Sequence, residues 1–302
     1  MKKVFVFHEI NDFSIFKKTI LLISKNYQFK NLVDFINSNE KNICHITFDD
    51  GHHSFEKAFK ILKERKIPST LFISIDKILK KKNFWFQDID YLKMKLNNKF
   101  NDEFNDFFSV KINNKSFKLY DYIKLYRIEE IEEFINLIVK KYSIKLPSFN
   151  ISLEKINELS KENLIELGAH TVNHPILLNE TNESSELEIK NSIVNLSNFL
   201  NKQIISFAYP NGIKKLDYDN REINILKKNG IKYAFTMNLN NFDINQHDYL
   251  EIPRISFGNN FYKNKILFFV PHLYNQLSKT NLPFIKKSEI TRRLKLKKTF
   301  KI

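Results

Sequence analysis

Residues 46–54 read Ile46-Thr47-Phe48-Asp49-Asp50-Gly51-His52-His53-Ser54, an apolar run that ends in two adjacent carboxylates and a glycine. Before the carboxylates, apolar residues alternate with His45 and Thr47, which predicts a short, mostly buried strand. Gly51 supplies the backbone freedom for a turn, and Ser54 can cap a helix over about 55–65. The pattern therefore predicts a strand, a turn and a helix, with both carboxylates at the end of the strand.

Two carboxylates in this position have two interpretations. Open α/β sheets and barrels carry their catalytic groups at the C-terminal ends of the strands, where a turn can direct both side chains into one pocket. Alternatively, Asp-Asp-Gly is only a turn, in which the aspartates bond to the neighbouring backbone.

A second polar stretch, Gly168-Ala169-His170-Thr171-Val172-Asn173-His174-Pro175, also follows an apolar run. Each histidine alone is typical of an ordinary core or surface group. Two histidines separated by three residues can face one ion from a single turn, and one carboxylate would complete the site. Two imidazoles and one carboxylate leave coordination positions open for water, as a catalytic metal requires.

Around these two stretches the sequence alternates between strands and helices, which indicates parallel βα units. Strands are predicted at 3–7, 69–75, 163–167, 204–208, 231–236 and 252–257, and in the segment that ends with 46–48 before the two aspartates. Helices are predicted at 12–24, 55–65 and 219–229, with another that Asn182 or Ser184 can cap and that reaches Leu200.

The two motifs together resemble the polysaccharide deacetylases of carbohydrate esterase family 4, also called NodB-homology domains. The resemblance rests on ITFDDG (46–51) and HTVNH (170–174), with support from VFHEI (6–10), PSTLFI (68–73) and FAYPNG (207–212). It covers roughly residues 2–258. It implies an α/β fold, a deformed (β/α) barrel with about seven parallel strands.

The resemblance also implies roles for single residues. Asp49 would be the general base, and Asp50, His170 and His174 would hold a divalent ion. The expected ion is Zn²⁺, with Co²⁺, Ni²⁺ or Mn²⁺ as alternatives. It would activate water and polarise the acetyl carbonyl. The third motif, with Tyr209 and Asn211, would contact the substrate and hold its oxyanion through a backbone N–H.

The chain departs from the family pattern at two places. The family's Leu-x-His motif, which supplies a general acid, has no clear copy in this chain. His272 is the nearest candidate, but it resembles a surface histidine. His8 is either a substitute for this acid or a residue that supports the site residues without contacting the substrate. Ala208 stands where the third motif normally has arginine. Arg254 could reach Asp49 from a neighbouring strand, or it could be an ordinary surface ion-pair residue. His52, His53 and His247 receive no role.

The chain of 302 residues, with 42% hydrophobic and 14% aromatic residues, is large enough for one sizeable core with an appendage. We expect a catalytic domain over 1–258, a helical insertion at about 79–150, and a C-terminal helical and basic extension over 259–302. The aromatic residues of the insertion either pack on the barrel rim or form a wall of a sugar-binding cleft. The single cysteine, Cys44, excludes an internal disulfide.

The net charge of +15 is concentrated at the C-terminus, where residues 286–302 hold eight Lys or Arg and a single acid, Glu289. This tail is either a solvated, disordered block or a contact for anionic lipid headgroups, with Ile290, Leu294, Leu296 and Phe300 as shallow anchors. No nucleic-acid motif accompanies it, so nucleic acid is not an expected partner.

The N-terminal apolar run is too short for a signal peptide, and no run has the length of a membrane span. We therefore expect a cytoplasmic protein, peripheral at the inner membrane surface if the tail binds lipid. The expected activity is metal-dependent removal of N-acetyl, or less readily O-acetyl, groups from an amino sugar in surface-polysaccharide biosynthesis, with a lipid-linked or nucleotide-linked precursor as substrate. The alternatives are hydrolysis of another C–N bond and a non-catalytic carbohydrate- or membrane-binding protein.

Overall fold

The computed structural model describes residues 1–112, 117–237, 248–271 and 289–300. Its centre is a sheet in which all strand pairings are parallel. The strands are β1 (Lys2–Phe7), β2 (Gln28–Phe29), β3 (Ile43–Phe48), β4 (Ser69–Ile73), β5 (Ile165–Ala169), β6 (Ser206–Ala208), β7 (Tyr233–Thr236), β8 (Ile252–Pro253) and β9 (Ile255–Ser256).

The sheet closes on itself through one interrupted segment. The strand order is β8-β7-β6-β5-β4-β3-β1-β9, and β2 adds to β3 beside this path. Because β8 pairs with β7 and β9 pairs with β1, the segment 252–256 joins the two ends of the sheet. The fold is therefore a deformed, nearly closed (β/α) barrel, as predicted. The predicted last strand is present as two halves on either side of Arg254, and the short β2 was not predicted.

The helices lie between and around the strands. They are α1 (Phe13–Ser24), α2 (Leu32–Asn37), α3 (Phe55–Glu64), α4 (Ile75–Leu79), α5 (Trp85–Leu96), α6 (Asn98–Phe108), α7 (Leu119–Ile123), α8 (Ile128–Lys141), α9 (Leu153–Leu159), α10 (Asn182–Leu200), α11 (Asn220–Lys228), α12 (Phe261–Phe269) and α13 (Glu289–Phe300).

Two helix starts differ from the prediction. Ser54 precedes α3 but makes no capping bond; its Oγ accepts the N–H of Ile10 and contacts His52 Nδ1, so it joins two strand-end loops instead. At α10 the cap is Thr181, whose side chain accepts the N–H of Ser184. In both cases the tertiary position of a small polar residue, and not its type, decides whether it caps.

The strand register aligns the C-terminal ends of the strands at one edge. Phe7 of β1 lies beside Phe48 of β3, and Ala169 of β5 lies beside Phe207 of β6. All six residues of β3 are buried, since helices cover its outer side and the barrel interior its inner side. The residues that follow these strands therefore meet at a single edge.

The predicted helical insertion contains α5 to α8, which enclose an apolar cluster of their own. Its aromatic residues mostly pack against each other inside this cluster, an arrangement that neither of the two interpretations predicted. The cluster includes Leu296 of α13. Nothing in the structure tests the predicted limits of the domain, the insertion or the extension, and they stay predictions.

Helix α13 gives the basic tail a different arrangement from a solvated block. Arg293 is buried and forms an ion pair with buried Asp217 at 2.7 Å, while Arg292 binds Asp121 of α7 at 2.6 Å. Leu296 is buried as well, so the prediction that it serves as a membrane anchor is wrong. These contacts tie the tail helix to the insertion and to the loop after β6.

Several residues considered in the sequence lie outside the described part of the chain: His247, His272, Lys286, Lys287 and Lys301. Within the described part, no helix combines the length and the apolar character that crossing a bilayer requires.

Candidate active site

The two aspartates lie in the turn after β3. Asp50 and Gly51 both have positive φ angles, 71° and 66°. Aspartate tolerates this left-handed region and glycine prefers it. A Cβ on Gly51 would lie 3.0 Å from Ile73 Cγ2, so the turn also needs the missing side chain. The two left-handed residues redirect the chain at the strand end, and both carboxylates are buried there.

Asp50 lies between the two histidines of the second motif. Its Oδ1 is 3.4 Å from His170 Nε2 and 3.5 Å from His174 Nε2, and all three side chains are buried. One donor atom from each residue can be chosen so that the three lie within 4.8 Å of one another. The sequence therefore predicted correctly which three residues come together.

This cluster fits a divalent metal ion. Among the described residues, Asp50 Oδ1 is buried with no hydrogen-bond partner, an arrangement that is costly for a carboxylate unless a cation compensates it. One carboxylate and two imidazoles are a common donor set for zinc and other transition metals, and it leaves positions open.

The pKa shifts of Asp50 and His174 also fit a metal. Burial acts to raise the pKa of Asp50, but His170 and His174 outweigh it and hold that pKa well below its ordinary value. Burial lowers the pKa of His174 to about 3, so its ring is neutral. His170 Nδ1 donates to the carbonyl of Ala208 at 2.7 Å, which directs the other ring nitrogen towards Asp50.

The loop between the histidines is held by a buried carboxylate. Glu188 of α10 accepts the backbone N–H groups of Val172 and Asn173 at 3.0 and 2.8 Å, and the side-chain amide of Asn173 at 2.6 Å. Thr171 and His174 have φ angles of 60°, which is uncommon for residues other than glycine. The bonds to Glu188 stabilise a backbone that would otherwise be strained.

Two further side chains hold the same loop. The Ser74 hydroxyl donates to the carbonyl of Val172 at 2.6 Å, and Trp85 Nε1 donates to the carbonyl of His174 at 2.9 Å. Glu188 and Ser74 could not be predicted from the sequence, because no local pattern marks a residue whose partner lies on another element. Trp85 belongs to the predicted insertion, whose aromatic residues were interpreted only as a group.

Asp49 has a different partner. Both of its carboxylate oxygens accept from the Arg254 guanidinium, at 2.7 and 2.8 Å, and His8 Nε2 lies 3.7 Å from Oδ2. Burial acts to raise the pKa of Asp49, but Arg254, His170 and His8 outweigh it, so the pKa is below its ordinary value. Of the two interpretations of Arg254, the structure agrees with contact to Asp49, because the arginine is completely buried.

The third motif contributes less than expected. Tyr209 is buried in the core, where its hydroxyl donates to the carbonyl of Leu250 and its backbone N–H donates to Phe235. Both donors of Tyr209 are therefore used, and we do not retain it as a substrate contact. Asn211 has a φ angle of 58°, and its side-chain nitrogen is buried without a hydrogen-bond partner among the described residues.

Two aromatic residues at the start of the insertion reach the site. The ring centroids of Phe84 and Phe86 lie 5.4 and 5.0 Å from that of His174. The insertion thus forms part of the surroundings of the Asp50, His170 and His174 cluster, alongside its own packed cluster. His53 Nδ1 donates to the carbonyl of Phe149, and this bond joins the turn after β3 to the far end of the insertion.

Solved structures support the fold. The chain is similar to the Streptococcus pyogenes deacetylase PplD in complex with acetate, with 16% identity, a TM-score of 0.55, and coverage of 86% of this chain and 92% of that one. It is similar to IcaB from Ammonifex degensii, with 16% identity, a TM-score of 0.58, and coverage of 87% and 94%. A de-N-acetylase from Aggregatibacter actinomycetemcomitans is 13% identical, with a TM-score of 0.54 and coverage of 87% and 98%.

No curated protein matches the sequence closely enough to count as a relative. The family comparison is positive: the model described as "Polysaccharide deacetylase" matches residues 36–234, which include both aspartates and both histidines. The chain therefore belongs to the polysaccharide deacetylase family and is a hydrolase of carbon–nitrogen bonds other than peptide bonds.

Proposed function

We propose that this protein hydrolyses the acetamide of an N-acetylated amino sugar, releasing acetate and a free amine, with a divalent metal ion held by Asp50, His170 and His174. The sugar belongs to a glycan, or to a glycan precursor, of surface-polysaccharide biosynthesis. The observation that carries the proposal is the buried three-residue cluster beside a separate carboxylate, Asp49, which binds Arg254. Two adjacent carboxylates thus have different partners and different roles.

Asp50, His170 and His174 would hold the divalent ion, Zn²⁺ in first place and Co²⁺, Ni²⁺ or Mn²⁺ as alternatives, which would supply a Lewis acid for the activation of water and the polarisation of the acetyl carbonyl. Asp50 remains ionised, and His170 presents a fixed ring nitrogen because its Nδ1–H is committed to Ala208. The loop bonds of Glu188 keep His174 in its place relative to Asp50.

Asp49 is the general base. Its low pKa keeps it ionised at neutral pH, so one of its oxygens can accept the proton of the attacking water. Arg254 orients the carboxylate by two parallel hydrogen bonds, a geometry that restricts rotation of the group. Arg254 therefore acts through Asp49 and does not itself exchange a proton.

The amine must leave with a proton, and His8 is the proposed donor. Its side chain is 38% exposed, and Nε2 is 3.7 Å from Asp49, so it can pass a proton between the site and solvent. Asn211 is the proposed donor to the oxyanion, through its backbone N–H or its unpartnered side-chain amide. Water and the acetamide together then yield acetate and the protonated amine.

For the substrate we favour a lipid-linked or nucleotide-linked precursor, with the protein on the cytoplasmic side of the membrane. The net charge of +15 supports an anionic carrier. Contact of the basic tail with an anionic membrane would use exposed residues of its described part, among them Leu294, Lys295, Lys298 and Phe300.

The test is metal content together with acetate release from N-acetylhexosamine oligomers and from lipid-linked acceptors, in the wild type, Asp49→Asn and His174→Ala. We expect Asp49→Asn to retain the metal and lose acetate release, and His174→Ala to lose both. Metal binding without acetate release from any acceptor would move the function to another C–N bond. Failure of the wild type to bind Zn²⁺ would remove the enzymatic proposal.

A further inference from the structure

Helix α12 has apolar residues on both its inner and its outer side. Leu267 and Phe268 are buried, whereas Tyr262, Ile266 and Phe269 are 80%, 48% and 56% exposed. These three lie at i, i+4 and i+7, so they form one stripe along the outside of the helix. An apolar stripe on the outer side of a helix whose inner side is already buried is normally covered, so the outer stripe calls for a partner.

The inner contacts fix the rotation of the helix. The Asn264 side chain donates to Thr19 Oγ1 of α1 at 3.1 Å and to the carbonyl of Gly258 at 2.8 Å. The ring of Phe268 stacks on that of Phe5, with centroids 5.9 Å apart, and the carbonyl of Phe268 accepts from Lys3. Because these buried contacts set the orientation, the outward position of the apolar stripe is a property of the fold.

The exposed charges on α1 and α12 are all positive. Neither helix contains an Asp or Glu, and their exposed lysines are Lys17, Lys18, Lys263 and Lys265. Leu21 of α1 adds another exposed apolar side chain. We call these exposed residues the α1–α12 face: Lys17, Lys18, Leu21, Tyr262, Lys263, Lys265, Ile266 and Phe269.

We propose that the α1–α12 face lies on a membrane surface that contains anionic lipid headgroups. Apolar side chains alternating with lysines are suited to the headgroup boundary, where the rings enter the acyl region and the ammonium groups bind phosphate. A second copy of the chain fits poorly, because this face contains four lysines and its nearest acid is Asp12 at the start of α1, so symmetric pairing would bring lysines mainly against lysines.

The face begins at the same edge of the barrel as the active site. Helix α1 follows His8, and α12 follows β9, which adjoins Arg254. The Asn259 side chain accepts the backbone N–H groups of Asn11 and Asp12, at 2.9 and 3.4 Å, and joins the two helix starts. If the proposed function holds, membrane contact through this face would bring the catalytic edge close to a lipid-linked sugar.

The test is co-sedimentation of the full-length protein with phosphatidylcholine vesicles that contain or lack phosphatidylglycerol. We expect binding only when phosphatidylglycerol is present. Tyr262→Ser with Phe269→Ser, and separately Lys263→Glu with Lys265→Glu, should each weaken binding on the order of tenfold. The control is Met94→Ser, which removes an exposed apolar side chain outside the α1–α12 face, on α5. It should bind like the wild type. Circular dichroism checks that each variant is folded.

Two results with the wild type would overturn the proposal: no binding by the folded protein, or equal binding to both kinds of vesicle. The proposal would also fail if Lys295→Glu with Lys298→Glu of α13 abolished binding while the α12 variants still bound. Finally, it would fail if the wild type were a dimer that the α12 variants dissociate. Acetate release from a water-soluble acceptor is measured in parallel. Release without vesicle binding overturns only the membrane face, and vesicle binding without release from any acceptor counts only against the proposed function.

Discussion

Arg254 and Asp49 are 205 positions apart in the sequence and form a buried pair in which both carboxylate oxygens accept from the guanidinium, at 2.7 and 2.8 Å. The guanidinium also lies over the rings of Phe72 and Phe235, 5.7 Å from each centroid. Arg254 interrupts the segment that closes the barrel, and Asp49 follows β3. One contact therefore links closure of the sheet to the orientation of the proposed base.

This pair predicts a strong energetic coupling. Arg254→Met leaves the Asp49 carboxylate buried without its cation, and we expect a loss of about 3–5 kcal/mol in the free energy of unfolding. Asp49→Asn with Arg254→Met should cost less than the sum of the single changes, because no unpaired charge remains. Urea unfolding of the four proteins measures the coupling, and additive losses would contradict it.

The donor cluster predicts stabilisation by metal. An ion that binds only the folded protein adds about 2.7 kcal/mol when its free concentration is roughly 100-fold above the Kd. We expect Zn²⁺ to raise the Tm of the chelator-treated wild type by several degrees and to leave the Tm of Asp50→Asn with His174→Ala unchanged. An equal rise in both proteins would place the binding elsewhere.

The loop contacts predict a positioning role for Glu188. Replacing Glu188 by Gln weakens the hydrogen bonds that this side chain accepts from the N–H groups of Val172 and Asn173. The loop that carries His170 and His174 then becomes less well ordered. Loss of a group behind a metal ligand typically reduces affinity 10–100-fold, and we expect a fall of about this size in the Zn²⁺ affinity of Glu188→Gln.

The control for Glu188 is Glu186→Gln, an exposed residue of the same helix. Isothermal titration gives the Zn²⁺ Kd of each variant, and the Co²⁺ absorption spectrum reports the ligand geometry. Unchanged affinity and an unchanged spectrum in Glu188→Gln would contradict the positioning role.

His45 predicts acid sensitivity that is independent of the active site. The ring donates from Nδ1 to the carbonyl of Lys30 and accepts at Nε2 from the Thr70 hydroxyl, both at 2.9 Å, as a neutral imidazole. Burial lowers the pKa of His45 from 6.5 to about 4. Between pH 6.5 and about 4, His45 is therefore protonated in the unfolded chain and neutral in the folded protein. The free energy of unfolding falls as the pH drops through this range.

The size of this effect is roughly 3 kcal/mol between pH 6.5 and pH 4. Urea unfolding of wild type and His45→Gln across this range, both with chelator, isolates the contribution. We expect the variant to lose less stability on acidification. Parallel pH profiles for the two proteins would exclude His45 as the cause.

Sequence and structure agree most closely where the information is local. Alternating apolar residues marked the strands, and the spacing of His170 and His174 within one loop made a shared ligand position predictable. The adjacent aspartates and Gly51 marked the turn that carries them. These features depend on backbone geometry over a few residues, which the sequence specifies directly.

Helix limits agree less closely with the prediction, because competing contacts decide where a helix begins. By residue type Ser54 is the better cap, yet its hydroxyl bonds across the barrel edge, whereas Thr181 does cap its helix. The basic tail shows the same limitation: its composition indicates solvation, whereas Arg293 is buried against Asp217.

By itself, the sequence of this protein determined most of its strands, its family motifs and the three residues that form the cluster suited to a metal. The tertiary structure alone decided that Arg254 holds Asp49, that Glu188 holds the histidine loop, and that Tyr209 is a core residue. The physical reason is that these contacts join elements distant in the chain. Their formation depends on strand register and closure of the sheet, which no local pattern encodes.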